Sequence, residues 1–133
     1  MKSTLSAAVL GLLALVIPAE AAVYECTMSS RSRDNWVAPK MWIDMRETNV
    51  VKVYDGHVVR SKGDAAYPVN YTMRGQTRYM MKWTLDGLQG TQDENTVDYS
   101  ATFDRAAQTI SVRARVRGYD NNAHGRGNCA LLR

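Results

Sequence analysis

The sequence predicts an all-β fold: a single antiparallel meander of about eight short strands, closed or partly open as a small barrel. Three observations predict it. Residues 96–117 alternate apolar and polar side chains on both sides of a four-residue break, the signature of two half-buried strands in a hairpin. Two more pairs of alternating runs with hairpin-length links precede that stretch. Beyond the first segment no run has helical periodicity, and there are no heptads, low-complexity tracts or fixed-period repeats.

The first segment reads as a helical secretory signal peptide rather than part of the fold. Lys2 supplies a positive start, Leu5 to Ile17 is almost free of polar groups, Pro18 ends the run, and Ala19-Glu20-Ala21 fits a small-x-small cleavage site. The run is shorter than the ~20 residues of a comfortable bilayer span. Val23-Tyr24-Glu25 stands where a lipoprotein would carry small residues before Cys26. The division expected is residues 1–21 as signal and 22–133 as one β domain. The protein is then periplasmic or secreted, with no transmembrane segment.

The strands follow in order. Residues 23–29 form the first. Residues 30–39 are rich in turn formers and charge, with Trp36 among them; it either caps an open end of the core or offers a ring for stacking. Met41, Ile43 and Met45 alternate with Trp42, Asp44 and Arg46. Pairing them with Val51 and Val53 sets Asp44 opposite Lys52 and Trp42 opposite Tyr54. Asp55-Gly56 is the strongest short turn signal and is expected to reverse the chain into a strand at residues 57–60. Residues 69–73 and 79–85 make the next hairpin, with Met73 facing Tyr79, Tyr71 facing Met81 and Val69 facing Trp83. In the last hairpin Phe103 faces Ile110, Ala101 faces Val112, Tyr99 faces Ala114 and Val97 faces Val116. Asp98 lies across from Arg115 on the other face, leaving Arg113 and Arg117 as the freer charges. Residues 118–127 read as an irregular glycine-rich loop, and 128–132 as a short last strand.

Two cysteines in an exported chain read as one disulfide. A Cys26–Cys129 bond ties first strand to last, closes a loop of ~100 residues and favours a barrel over the alternative two-sheet sandwich. The inward set is large, including Met41, Ile43, Met45, Tyr71, Met73, Met81, Trp83 and Phe103, so a packed interior is expected rather than a ligand cavity.

The net charge of +4 suits weak attraction to anionic surfaces and is too mild to argue for nucleic acid. His57 and His124 are the only histidines, and no Cys or His spacing suits a metal. No Gly-x-Ser-x-Gly elbow is present, and the carboxylates lie opposite Arg or Lys or in loops, an arrangement that disfavours an enzyme and implies no cofactor. Arg113, Arg115 and Arg117 share one strand face and form a cationic stripe for phosphate or carboxylate groups, or simply a charged outer wall. Tyr119 and Arg126 in the following stretch extend that surface, with Trp36 as an outlying candidate.

Tyr24-Glu25-Cys26 and Asn128-Cys129 resemble the ends of the periplasmic inhibitors of c-type lysozyme. Ser61-Lys62-Gly63 is similar to part of a loop motif of that family, although it stands mid-chain, and the family's Ser-Gly-x-x-Tyr loop is missing. The resemblance implies a disulfide-closed eight-stranded barrel. The function expected is an exported, non-catalytic binding or structural module that meets an anionic envelope polymer or a protein partner through a basic surface. Inhibition of a cell-wall hydrolase such as lysozyme is the alternative.

Overall fold

The computed structural model describes residues 21–30, 35–90, 93–120 and 122–132. Of the expected signal segment, residues 1–21, all but Ala21 lies outside them. Among the described residues, nine strands and one short helix follow in order: β1 (Val23–Ser30), β2 (Lys40–Asp44), β3 (Lys52–Tyr54), α1 (Gly56–Lys62), β4 (Tyr67–Pro68), β5 (Asn70–Arg74), β6 (Arg78–Gln89), β7 (Glu94–Asp104), β8 (Thr109–Val116) and β9 (Asn122–Leu131). They form one antiparallel sheet in the order β4-β3-β2-β1-β9-β8-β7-β6-β5.

The two ends of that order are neighbours in the chain. β4 pairs with β3, and β5, starting just after Val69, pairs with β6. One bent strand therefore bridges the seam, and Val69 N–H donates to the Val51 carbonyl at the bend (2.9 Å). Counting β4 and β5 as one strand leaves a nearly closed barrel of about eight, the class that alternation predicts.

The expected registers hold. Val97, Tyr99, Ala101 and Phe103 face Val116, Ala114, Val112 and Ile110, with Asp98 across from Arg115. Trp42 faces Tyr54 and Asp44 faces Lys52. Met73 faces Tyr79 and Tyr71 faces Met81, but the expected Val69–Trp83 pair is absent because the chain has already turned toward β3. A bulge at residues 86–87, where Gly87 adopts φ 64°, shifts the β6–β7 register. Met41, Ile43, Met81, Leu85, Leu88 and Phe103 fill the interior. Cys26 and Cys129 are directly opposed on β1 and β9 and joined by a disulfide.

Three expectations are corrected. Residues 57–60 are helix, not strand. Asp55 is extended (φ −158°) and its carboxylate accepts from Val58 N–H (2.8 Å), so Asp-Gly acts as a helix start, not a tight turn. Residues 118–127 are not one loop: β9 begins at Asn122. Met73 points to the inner face but is 42 % exposed, because β5 is an edge strand there.

α1 closes part of the seam against β6. Its Ser61 hydroxyl donates to the Asp86 carbonyl (2.7 Å), and Lys62 pairs with the Asp86 carboxylate (3.0 Å). Among the described residues no helix is long and apolar enough to cross a membrane.

Candidate anion-binding face

Alternation along β8 buries Ile110, Val112, Ala114 and Val116 and sends Thr109, Ser111, Arg113 and Arg115 to solvent. β9 alternates in the same way. Ala123, Gly125 and Cys129 are buried, and Asn122, His124, Arg126 and Asn128 face out. The ladder aligns the two outer rows: Ser111 opposite Arg126, Arg113 opposite His124, and Arg115 opposite Asn122.

Arg126, Arg113 and Arg115 therefore run obliquely across two strands. Arg113 and Arg115 are two residues apart, ~7 Å by strand geometry. Arg126 is the diagonal neighbour of Arg113, at ~7–8 Å. None of the three forms an ion pair among the described residues.

Arg117 is different. Its guanidinium grips Asp98 with two bonds, Nε to Oδ2 at 2.9 Å and Nη2 to Oδ1 at 3.0 Å. Those bonds, helped by the Thr84 hydroxyl, hold the Asp98 carboxyl below its ordinary range and push Arg117 up. This corrects the expected division of charge. Asp98 is opposite Arg115 by register, but its carboxylate reaches diagonally to Arg117; Arg115 acts on it through charge alone, and Arg113 and Arg115 form no ion pair among the described residues.

The remaining candidates fall apart in space. Tyr119 is 60 % exposed in the β8–β9 turn, at the far end of the row from Arg126. Trp36 packs partly buried against the core, its carbonyl accepting from the Tyr99 hydroxyl (2.7 Å) and its ring 6.5 Å from His57. It serves as a cap and does not belong to the arginine face.

Sequence reasoning missed the hydroxyls around Arg126. A shallow groove on the outer wall is lined by Ser29, Thr102, Ser111 and Arg126 together with Arg78 and Asp104, which pair with each other at 3.5 Å. Ser29 is opposite Arg126 and its hydroxyl donates to the Arg126 carbonyl (3.2 Å). The disulfide register held the signal: three residues beyond Cys26 on β1 lies opposite three residues before Cys129 on β9. The O–H protons of Ser29 and Thr102 are spent on the Arg126 carbonyl and on Met80 Sδ, so the groove offers an oxyanion the Arg126 guanidinium, which has no ion pair among the described residues, and the Ser111 hydroxyl on a rigid wall.

Among the described residues no three His, Cys, Asp or Glu side chains converge to hold a metal. Compared with known proteins, the chain matches no family model, no curated protein and no solved structure.

Proposed function

We propose that this is an exported, non-catalytic module that binds an anionic, phosphate-bearing polymer of the envelope along the outer face of β8 and β9. One observation carries the reading: Arg126, Arg113 and Arg115 form an oblique row without ion pairs among the described residues. A row of point contacts suits an extended ligand with repeated charges better than one compact ion. Ser111 adds a hydroxyl beside Arg126, while the Ser29 hydroxyl holds the Arg126 carbonyl. The Cys26–Cys129 bond supports an oxidising compartment. Ser61 and Lys62, part of the stretch that resembles an inhibitor loop motif, lie in α1 with their side chains engaged with Asp86, which speaks against insertion of this segment into a hydrolase cleft.

The test is retention on an immobilised phosphate polymer over a salt series. Affinity should fall linearly with salt on logarithmic axes. The triple change Arg113→Ser, Arg115→Ser and Arg126→Ser should lower it at least ~10-fold, from ~0.5–1 kcal/mol per exposed charge contact. Retention that ignores salt or the triple change would sink the proposal.

A further inference from the structure

The sheet ends on β5, and one edge of that strand is open. Arg105 N–H bonds the Thr77 carbonyl on the β7 side of the sheet, so Arg78, Met80 and Lys82 turn their main-chain groups the other way, toward β5. Their partners there are Arg74, Thr72 and Asn70. Val69, Tyr71 and Met73 must then direct their N–H and C=O groups away from β6. Val69 finds the Val51 carbonyl, but Tyr71 and Met73 find no main-chain partner on that side among the described residues. Met73, on the inner face, is uncovered at the same edge.

We propose that this edge pairs with β5 of a second copy of the chain, antiparallel about a two-fold axis through Thr72. The strand is complementary to itself in that register. Asn70 meets Arg74 of the other copy, Tyr71 meets Met73, and Thr72 meets Thr72. No like charges are opposed, although Arg74 would meet itself in a parallel arrangement. Both Tyr71–Met73 pairs exchange their two N–H···O=C bonds, satisfying the open groups on each side. Each also sets a phenol ring against a thioether and covers the exposed Met73. Unprotected edges of this kind are templates for added strands, and the sequence of β5 makes its own copy the fitting one. The arginine face is on β8 and β9, so the pairing is independent of the proposed anion binding.

Sedimentation of the purified protein from micromolar to millimolar concentration tests this, with far-UV circular dichroism as the folding control. The wild type should form a species of twice the chain mass. Thr72→Lys or Thr72→Glu alone places like charges together at the axis and should weaken association ~5-fold or more. An equimolar mixture of the two should restore it, which only an axis at Thr72 explains. Met73→Pro deletes an outward N–H while sparing the bonds to β6, and should give a monomer of unchanged fold. Arg113→Ser should leave the dimer intact. A monomer at every concentration, or a dimer indifferent to the Thr72 and Met73 changes, would overturn the proposal. So would capture of a foreign strand peptide without self-association.

Discussion

Asp55 is 1 % exposed, and its carboxylate caps α1 through Val58 N–H. Burial pushes its pKa up from 3.8, opposed by the Val58 bond and the nearby His57. A raised carboxyl pKa means its contribution to stability is full below the unfolded value and is lost as pH rises through the folded one. Asp55→Asn keeps a capping oxygen without the buried charge. Its melting temperature should match or exceed wild type at neutral pH, and the difference should shrink on acidification below the usual carboxylate range. Asp55→Ala loses the cap and should cost ~1 kcal/mol. Melts of the three proteins across the acid range check the sign. Gly127 is constrained in another way: a Cβ there would collide with the Thr27 carbonyl across the β1–β9 ladder. Gly127→Ala should lose ~1–3 kcal/mol in urea unfolding, since backbone rather than a flexible side chain must move.

At the scale of elements, legibility in the sequence divided along a physical line. The β7–β8 hairpin was readable to the residue because every inward position carries a side chain whose exposure would be costly. β9 was not, because Gly125 and Gly127 occupy its inward row. Their pattern is completed by other segments: Val37 packs over Gly125, and Thr27 crowds Gly127. α1 was hidden because it is short and one buried Asp oxygen decides between turn and helix. The arginine row was visible, but its division of charge was not, since register fixes Cα partners and not where long side chains reach. That gives a prediction for the element. Arg117→Ser should raise the Asp98 carboxyl pKa back toward 3.8, and Arg115→Ser should move it less, because of the two arginines only Arg117 donates hydrogen bonds to it, while Arg115 acts through charge alone. A carboxyl-carbon NMR titration of Asp98 reads both; equal shifts would contradict the assignment.

For the whole molecule, the barrel is closed by two unlike devices. The bent β4–β5 strand closes one side with local contacts, and α1 seals beside it. The other side depends on the most distant pairing in the chain, β1 with β9, where Cys26 and Cys129 sit 103 residues apart. The ladder there runs from Tyr24–Leu131 to Ser30–Gly125, so the native wall does not need the covalent bond to define its register. The disulfide then acts mainly on the unfolded chain, whose ends it keeps together. By the chain-entropy relation, reducing it should lower unfolding free energy by up to ~4–5 kcal/mol. Because the register survives, the reduced protein under native conditions should keep its far-UV circular dichroism. It should also keep the proposed affinity for a phosphate polymer, since Arg113, Arg115 and Arg126 are positioned by the β8–β9 ladder. Urea unfolding with and without a phosphine reductant, beside the same retention assay, separates these outcomes. Loss of the arginine face on reduction, with the spectrum unchanged, would mean that the bond and not the ladder sets the position of β9.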